Sequence, residues 1–289
     1  MIKKGIILAG GRGTRMSPLT KAVNKQLLPI YDKPLIYYPL SVFMLAGIKE
    51  ILIVVNKGQL IHFKKILSNG KRFGININYV EQTEPRGLPD AFMLGEKFIG
   101  KDKVALILGD NFFYGQSLTE KLTKCVKLNK GCKILVHPVN KPELYGVADI
   151  NRVNKVTNIK EKPRKTKSNL AVTGLYFFDN NVINYSKSLK PSKRNELEIV
   201  DLLNKYRKKN MLKSEFLGRG GAWLDTGSID DFYNTSAFVS ALENRQGLKI
   251  ACLEEIALKK KWINKKQIKE AITFYGKCVY SDYLNRLIK

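Results

Sequence analysis

Two positively charged side chains follow a glycine-rich turn near the start of the chain. The apolar run Gly5–Ala9 predicts a buried strand that leads into this turn. The turn contains three glycines, Gly10, Gly11 and Gly13. Glycines let backbone N–H groups approach a phosphate closely, and Arg15 and Lys25 can add full positive charges from the side. The segment therefore predicts a site for a phosphorylated ligand.

Neither of two common phosphate-binding motifs fits this turn. A P-loop requires Gly-Lys-Ser/Thr after a first glycine and four further residues, yet the fifth position after Gly10 is Arg15. The dinucleotide fingerprint requires a glycine at the sixth position, which counted from Gly11 is Met16. Pro18 follows where a phosphate-binding helix would usually begin. Two interpretations remain, a phosphate-binding turn outside these motifs and a plain glycine turn with solvent-exposed arginines.

Short apolar strands alternate with helical patterns in the first half of the chain. The predicted strands are Gly5–Ala9, Glu50–Asn56, Ile75–Glu81, Val104–Gly109 and Lys133–Val139. The predicted helices are Leu35–Ala46, Leu60–Leu67, Ala91–Phe98 and Ser117–Leu128. This alternation predicts a parallel sheet covered on both faces, in which ligands bind beyond the carboxyl ends of the strands. The glycine turn lies at one such end, and Asp110 lies at another.

The pattern changes after Val139. Alternating residues over 145–163, with a turn near 152–154, predict a β-hairpin, and 171–180 predicts a further strand. An amphipathic helix is predicted over 196–210. Further helices are predicted over Asp230–Glu243, Leu253–Lys260, Lys265–Phe274 and Tyr280–Leu287. We predict an α/β fold with a Rossmann-like, mostly parallel mixed sheet flanked by helices and a C-terminal helical appendage.

The composition indicates a globular protein with a strongly basic surface. The 289 residues include 51 Lys and Arg against 25 Asp and Glu, a formal net charge of +26. Such a charge would permit a nucleic-acid partner. The lysines, however, are spread along the chain, and the one local cluster, within 259–269, lies in a predicted amphipathic helix. We therefore expect no nucleic-acid partner and a solvated surface that can steer small anionic substrates.

No apolar stretch approaches the roughly 20 residues that span a bilayer, and the N-terminus lacks a signal-peptide pattern. We expect a cytoplasmic protein with no membrane partner. The four cysteines are Cys125, Cys132, Cys252 and Cys278. Their scattered positions predict reduced, mostly buried thiols rather than disulfides or a zinc site.

A series of motifs resembles those of sugar-1-phosphate nucleotidyltransferases. The opening stretch contains LAGGRGTRMSPLTKAVNKQLLPI, which is similar to the family's Leu-Ala-Gly-Gly-x-Gly-Thr-Arg loop and the following Lys-x-Leu-Leu-Pro-like run. The resemblance continues in order along nearly the whole chain through YDKPLIYYPLS, EQTEPRGLPDAF, LGDNFFYG, YGVADI, IKEKP, AVTGLYFFD, NELEIVD, GRGGAWLDTGS and RQGLKIACLEEIA. These motifs look like those of members that make dTDP-glucose and pyrophosphate from dTTP and glucose 1-phosphate, a step that supplies dTDP-sugars such as dTDP-rhamnose.

The resemblance divides the chain and assigns roles to its residues. Residues 1–228 would form the core, with nucleotide binding in about 1–139 and sugar binding in about 140–228, and the helical segment 229–289 would pack on this core. The implied catalytic cations are Arg15, Lys25 and Lys162. The implied nucleotide-binding residues are Gly10, Gly11, Gly13, Gln26, Gln82 and Gly87. The implied residues for the sugar and its phosphate are Tyr145, Gly146, Glu161, Val172 and Arg194.

The implied reaction needs positive charge more than acid–base help. A sugar phosphate is already largely dianionic at pH 7, so His62 and His137 are expected to be structural or exposed. Two highly anionic substrates must instead be held in line, which calls for cations and a divalent metal. Mg²⁺ prefers oxygen ligands, and the resemblance assigns Asp110 and Asp225 to it. The two aspartates are too far apart in the chain to be paired by spacing.

The resemblance also predicts an assembly and a regulator. Family members commonly form homotetramers with a feedback site for a dTDP-sugar at a subunit interface. Parts of that site are similar to the segments around Tyr114, Arg219, Glu255 and Ile256. Trp223 could pack beneath the sugar, shape the metal loop or belong to the core. The departures from the family pattern include Pro89, Asp90 and Asn24.

Three alternatives remain open at this point. A related uridylyltransferase would use UTP, although Gln26 argues against that branch. A basic nucleic-acid-binding protein would retain DNA independently of both aspartates. A catalytically inactive regulatory relative would be expected to lack Arg15, Lys25 or an aspartate, and none of these is missing.

Overall fold

A nine-stranded mixed sheet forms the centre of the molecule, and two small two-stranded sheets flank it. The computed structural model describes residues 1–11 and 13–289, so Arg12 of the glycine turn lies outside the described residues. The strands are β1 (Lys4–Ala9), β2 (Pro29–Ile30), β3 (Lys33–Pro34), β4 (Glu50–Asn56), β5 (Asn76–Gln82), β6 (Val104–Leu108), β7 (Asn111–Gly115), β8 (Cys132–Pro138), β9 (Gly146–Ile150), β10 (Val156–Glu161), β11 (Leu170–Phe178), β12 (Leu212–Phe216) and β13 (Gly221–Asp225). The helices are α1 (Tyr37–Leu45), α2 (Leu60–Leu67), α3 (Asp90–Leu94), α4 (Glu96–Ile99), α5 (Leu118–Val126), α6 (Val182–Lys187), α7 (Ile199–Lys208), α8 (Ile229–Gln246), α9 (Leu253–Lys259), α10 (Lys265–Tyr275) and α11 (Val279–Ile288).

The strand order brings the carboxyl ends of four parallel strands to one edge. The main sheet runs β10-β9-β11-β6-β1-β4-β5, with β8 paired to β11 and β12 paired to β8. Strands β6, β1, β4 and β5 are parallel neighbours, while β11 is antiparallel to β6, β8 and β9. The predicted α/β class with a mixed sheet flanked by helices is confirmed. The first half of the chain supplies four parallel strands of this sheet, whereas the second half contributes the antiparallel pairs and one further parallel pair, β8–β12.

Apolar side chains cover both faces of the sheet. Successive residues of β1 point to opposite sides, so Ile6 and Ile7 belong to two different buried clusters. One cluster includes α1, α2 and α5, and the other includes α3, α6 and α7. The predicted amphipathic helix α7 buries Val200, Leu203 and Tyr206 on its inner face. Full burial of an aliphatic side chain contributes about 1.5–3 kcal/mol, so these two layers hold the strands of the site in place.

The predicted elements of regular structure are confirmed, except that one predicted helix is divided in two. The strands β2, β3 and β12 and the helix α6 were not predicted. The segment 91–98 forms two short helices, α3 and α4, because the chain leaves helical geometry at Gly95. The pair β7–β13 was not predicted, since the short strand Asn111–Gly115 follows directly on the strand β6 and its partner lies about a hundred residues later. This small antiparallel ladder is central to the site described below.

The C-terminal helices pack on the same core as α1. Buried residues of α9 and α11, among them Leu253, Ala257 and Leu284, belong to the cluster that contains α1. Ser228 is the N-cap of helix α8, and Gly247, whose φ of 67° favours glycine, is its C-cap. None of the helices within 1–11 and 13–289 is long and apolar enough to cross a membrane.

The cysteines have the predicted form. All four are free thiols, and Cys125, Cys132 and Cys252 are buried, whereas Cys278 is exposed. Burial raises the pKa of Cys125 to about 12, so its thiol is protonated at neutral pH and behaves as a small apolar side chain.

Candidate active site

Two hydrogen bonds join the glycine turn after β1 to an asparagine at the end of the neighbouring strand β4. The Gly11 N–H donates to Asn56 Oδ1 at 2.9 Å, and Asn56 Nδ2 donates back to the Gly11 carbonyl at 2.8 Å. Gly11 has a φ of 101° and Gly13 one of 58°, conformations that other residues rarely adopt. The chain then forms a single 3₁₀ turn at residues 14–16 and not a phosphate-binding α-helix. The exclusion of both common phosphate motifs is thus consistent with the observed backbone.

Lys25 reaches the site through a second short turn. Asn24 caps the 3₁₀ turn of residues 25–27 by accepting from the Gln26 N–H at 2.8 Å, and its Nδ2 donates to the Ala9 carbonyl at 3.0 Å. This bridge attaches the turn to the end of β1. Lys25 is buried, and its Nζ forms an ion pair with Asp110 Oδ2 at 2.8 Å. Asn24, which the sequence marked only as a departure from the family pattern, therefore positions both Lys25 and Gln26.

The β7–β13 ladder brings the two predicted metal-binding aspartates together. Asn111 of β7 is the register partner of Asp225 in β13. Immediately beyond this pair, both the backbone N–H and the hydroxyl of Thr226 donate to the Asp110 carbonyl, at 3.1 and 2.8 Å. Residues that are more than a hundred positions apart thus become neighbours through an antiparallel pairing.

Asn111 is the hydrogen-bonding centre of this ladder. Its side chain is 1% exposed, and its Oδ1 accepts from Trp223 Nε1 at 2.6 Å and from the Gly174 N–H at 3.0 Å. Its Nδ2 donates to Asp110 Oδ1 at 3.2 Å, which orients that carboxylate. Trp223, whose role was left open, is therefore buried and supports the aspartate through Asn111.

The charges of the two aspartates act on each other. Burial and the charge of Asp110 together raise the pKa of Asp225 to about 6, against the opposing effect of Lys25 and Arg15. A buried carboxylate whose ionisation is disfavoured by a neighbouring carboxylate fits a divalent cation, since a bound cation would relieve the repulsion. No group of three or more Asp, Glu, His or Cys residues that could hold a metal occurs in the described part of the chain. A cation here would take two carboxylates and find its other ligands in water or substrate.

Arg15 lies against Gly227, a residue that the sequence did not single out. A Cβ at position 227 would lie 2.8 Å from Arg15 Nη2 and 3.1 Å from Asp225 Oδ2. The guanidinium and the carboxylate are therefore packed against the bare backbone of this glycine. Gly227 also lines a cavity of about 180 Å³, together with Gly10, Gly11, Gly13, Thr14, Arg15, Met16, Lys25, Gln26 and Asp110. Six of the predicted nucleotide-binding and catalytic residues and one predicted metal ligand thus surround one space.

The predicted sugar residues form a second group beside the ladder. A Cβ at Gly146 would lie 3.4 Å from Glu161 Oε2 and 3.9 Å from Val172 Cβ, so these three residues meet on one face of the β9–β11 strands. The ring of Tyr145 packs edge-on against Trp223, with 5.1 Å between centroids. Burial raises the pKa of Tyr145, and the charge of Asp225 adds to the shift. The sugar group and the aspartate pair are therefore adjacent.

The basic residues of this second group are held in different ways. Lys162 has a left-handed φ of 42°, an uncommon conformation for a lysine, and its N–H donates to the Tyr145 carbonyl at 3.0 Å. Arg194 is exposed and forms an ion pair with Glu198 at 2.8 Å. Desolvation raises the pKa of Glu161, and Lys162 opposes that shift. Lys162 therefore lies next to the sugar group, whereas Arg194, which lies outside any helix, is paired with Glu198 at the start of α7.

Gln82 and Gly87 lie on the other side of the glycine turn from the aspartates. Gln82 ends β5 and is 5% exposed, and a Cβ at Gly10 would lie 3.2 Å from its Oε1. Gly87 has a φ of 96° and forms a bridge to Leu197, whose carbonyl would be 2.1 Å from a Cβ at position 87. No side chain fits there, which explains the glycine independently of any ligand.

A separate cavity of about 450 Å³ lies between β7 and the C-terminal helices. Tyr114, Glu255 and Ile256 line it, together with Lys249. Three of the four residues that resemble parts of a family regulatory site therefore surround one space, while Arg219 is not among the lining residues. A cavity of about 520 Å³ on the β9–β10 hairpin contains none of the predicted site residues.

Besides Asn24, three positioning residues were missed in the sequence. Asn56 could have been found, because it is a polar residue at the carboxyl end of a predicted parallel strand. Asn111 follows Asp110 directly, but nothing local shows that its side chain is buried. Gly227 is one of several glycines in its region, and its role depends on the position of Arg15.

Comparison with known proteins identifies the family of this chain. A family model described as nucleotidyl transferase matches residues 4–241. A glucose-1-phosphate thymidylyltransferase of Neisseria meningitidis serogroup A is 49% identical over 286 residues, which cover 99% of this chain and 99% of the relative. Another from Xanthomonas campestris pv. campestris is 47% identical, with 99% of this chain and 97% of the relative covered.

Solved structures agree in fold. A Bacillus anthracis protein named after the same activity, crystallised with sucrose, matches with a TM-score of 0.75 at 38% identity over 81% of this chain and 94% of that one. A UDP-glucose pyrophosphorylase in complex with UDP-glucose matches with a TM-score of 0.74 at 27% identity over 85% of this chain and 100% of that one. Because the family model and these relatives match most of the chain, the chain belongs to the nucleotidyl transferase family.

Proposed function

We propose that this enzyme transfers a deoxythymidylyl group from dTTP to glucose 1-phosphate, forming dTDP-glucose and pyrophosphate. Relatives at 43–49% identity over nearly the full length carry the name of this activity. The observation that carries the proposal is the pairing of Asp110 and Asp225 by the β7–β13 ladder, beside Lys25 and Arg15 and below the glycine turn.

The reaction needs no general base in this site. An oxygen of the glucose 1-phosphate attacks the α-phosphorus of dTTP, a new P–O bond forms, and the bond to the β-phosphate oxygen breaks to release pyrophosphate. The attacking phosphate is already largely dianionic at neutral pH. His62 is exposed on α2, and His137 is half-buried in β8; neither is among the residues that line the 180 Å³ cavity.

The residues around the turn oppose the repulsion between the two substrates. Backbone N–H groups of the turn and the guanidinium of Arg15 suit the triphosphate, and Lys25 suits the charge that develops on the departing pyrophosphate. Asp110 and Asp225 would hold Mg²⁺, which when bound supplies further positive charge to the phosphates. Such transfers are accelerated mainly by alignment and charge stabilisation, so rigid support of these side chains by Asn111 and Gly227 matters.

The second group would bind the sugar. Glu161 can accept hydrogen bonds from hexose hydroxyls, and the missing side chain of Gly146 leaves space next to it. Lys162 is adjacent and suits the phosphate of glucose 1-phosphate. Arg194 would reach that phosphate only after leaving Glu198, so we expect its contribution to be smaller than that of Lys162.

A substrate matrix tests the proposal. Four triphosphates are combined with several hexose 1-phosphates and Mg²⁺, and pyrophosphate release is measured. We expect the highest kcat/KM for dTTP with glucose 1-phosphate, and loss of turnover with EDTA. UTP differs from dTTP by a methyl and a 2′-hydroxyl, and a pocket distinguishes a methyl by only about 1–3 kcal/mol, so some turnover of UTP is expected.

Two substitutions distinguish the effect of the proposed site on turnover from that of the rest of the surface. Asp110→Asn should abolish most of the turnover, whereas Asp102→Asn removes a surface carboxylate that pairs with Lys4 and should keep it. A uridylyltransferase would instead show a clear preference for UTP. Salt-dependent DNA retention that is indifferent to Asp110→Asn, without pyrophosphate release, would contradict the proposal and favour a nucleic-acid-binding protein.

We also infer an assembly and a regulatory role that go with this activity. The cavity lined by Tyr114, Glu255 and Ile256 is of a size to hold part of a nucleotide sugar, which supports feedback by a dTDP-sugar such as dTDP-rhamnose. We also expect the protein to form a homotetramer in the cytoplasm. Light scattering would measure the assembly, and inhibition by dTDP-rhamnose that excess dTTP does not overcome would support a separate site.

A further inference from the structure

A buried carboxylate fixes the orientation of the Gln82 amide. Asp90 is 4% exposed, and its Oδ2 accepts a hydrogen bond from Gln82 Nε2 at 2.8 Å. A carboxylate has acceptors only, so the amide nitrogen must face Asp90 and the amide oxygen must face away from it. Asp90 is held in turn by its place at the start of α3, where its N–H donates to the Gly87 carbonyl.

The amide oxygen of Gln82 is directed at the glycine turn. A Cβ at Gly10 would lie 3.2 Å from Gln82 Oε1, so only the missing side chain leaves space between them. Within residues 1–11 and 13–289 the structure gives no hydrogen bond to this oxygen. Gln82 therefore presents one acceptor of fixed direction beside the turn.

The position of Gln82 suits the base of a nucleotide whose phosphates lie at the aspartates. In the order β6-β1-β4-β5, Asp110 follows β6 and Gln82 ends β5, so the glycine turn after β1 lies between them. Three strand spacings amount to about 14 Å between backbones, and the side chains shorten this distance. That span is of the scale of a nucleotide from its α-phosphate to the edge of its base.

We propose that Asp90 is a positioning residue, which holds the Gln82 amide so that its oxygen accepts a hydrogen bond from the base. The site would therefore select pyrimidines that carry an N3–H over cytosine. Thymine and uracil donate from N3, whereas cytosine presents an unprotonated N3 acceptor at the same place. An unrestrained glutamine amide can turn over and exchange its donor with its acceptor, and would then serve both kinds of base. With Asp90 in place, turning over would bring two oxygens together in a buried pair. The inference rests on the proposed function, because it needs a nucleoside triphosphate in this site.

The test compares nucleotides in variants that keep the size of the side chain. Asp90→Asn retains a hydrogen bond to Gln82 but can either donate or accept, so the amide is no longer restricted to one orientation. Asp179→Asn is the matched control, because Asp179 is another buried aspartate and is bonded to the Gly131 N–H and the Tyr206 hydroxyl, outside the site. For each protein, kcat/KM is measured with dTTP and dCTP and glucose 1-phosphate, together with the thermal midpoint.

The wild type should strongly prefer dTTP to dCTP, because a site built to accept from an N–H rejects a base that lacks it. In Asp90→Asn the ratio of the two kcat/KM values should fall at least about tenfold, and in Asp179→Asn it should stay unchanged. A ratio within twofold of wild type in Asp90→Asn, or an equal loss for both nucleotides, would overturn the inference. If Asp90→Asn does not fold, Asp90→Ser, whose hydroxyl also donates or accepts, is judged by the same ratio.

The two proposals fail in different ways. A wild-type protein that releases no pyrophosphate with any triphosphate would contradict the proposed function. A wild-type protein that uses dTTP and dCTP equally well would leave that function standing and refute the role of Asp90.

Discussion

Gly227 offers a sharp test of how the site holds Arg15. The glycine has no left-handed φ, so alanine fits its backbone without strain. The new methyl group would nevertheless lie 2.8 Å from Arg15 Nη2, well inside the ordinary contact range that begins near 3.4 Å. The guanidinium must therefore move by about half an ångström or more, and Asp225 Oδ2, at 3.1 Å, is crowded as well.

The size of the effect follows from what Arg15 is expected to do. Misplacement of an aligned group by about 1 Å can cost a factor of 10² in rate, and removal of one preorganised charge contact costs about 10²–10³. A shift of about half that distance should lower kcat by about 10- to 100-fold, or about 1.4–2.7 kcal/mol in activation free energy. The end of an arginine side chain moves easily, so the free energy of unfolding should change by less than about 1 kcal/mol.

The assay is pyrophosphate release at saturating dTTP and glucose 1-phosphate, with urea unfolding of the same preparations. Gly220→Ala is the matched control, because a Cβ at Gly220 would meet no atom within 4 Å and the backbone there has no left-handed φ. It should keep both kcat and stability. A Gly227→Ala enzyme with kcat within twofold of wild type would show that the position of Arg15 does not limit the reaction.

Three further substitutions address Arg15, the aspartate pair and the asparagine that supports it. Arg15→Ala should lower kcat by about 10²-fold or more with the fold intact, as judged by circular dichroism, and a near-normal rate would show that Arg15 is merely a surface residue. Asp225→Asn removes the repulsion from Asp110, so differential scanning fluorimetry should show a higher thermal midpoint for the metal-free variant than for the metal-free wild type. Mg²⁺ should then raise the midpoint of the variant only slightly, and a rise equal to that of wild type would argue against the aspartate pair as the Mg²⁺ site. Asn111→Ala leaves two buried N–H donors unpaired at about 1–3 kcal/mol each, so urea unfolding should show a loss of about 2–6 kcal/mol in the free energy of unfolding, and a loss below about 1 kcal/mol would contradict its central place in the ladder.

The regular elements were largely predictable, because their signals are local. The buried strands of the parallel half are continuous apolar runs, and the predicted boundaries of β1, β4 and β6 lie within a residue of those observed. Helix α2 coincides with its predicted range. The split of 91–98 at Gly95 was less visible, because a glycine in a helical pattern is often tolerated.

The candidate site was predictable in its chemistry but not in its geometry. The glycine turn, Arg15 and Lys25 lie within one short stretch, so their chemical character can be seen in the sequence. Lys162 could be named as a cation, but its left-handed backbone and its contact with Tyr145 appear only in the fold. Arg194 stays a predicted phosphate ligand, and its ion pair with Glu198 appears only in the fold.

Local composition and periodicity were sufficient to establish the α/β class and to predict a phosphate-binding role for the first turn, whereas the expected demand for cations came from the family resemblance. The signals for strands and helices are encoded over a few residues each, and hydrophobic burial enforces these elements when the chain folds. The meeting of Asp110 with Asp225, the support from Asn111, and the contact of Asp90 with Gln82 were decided by the tertiary structure. Each depends on strand register and on side chains from distant segments packing in one place, and no short stretch of sequence contains that information.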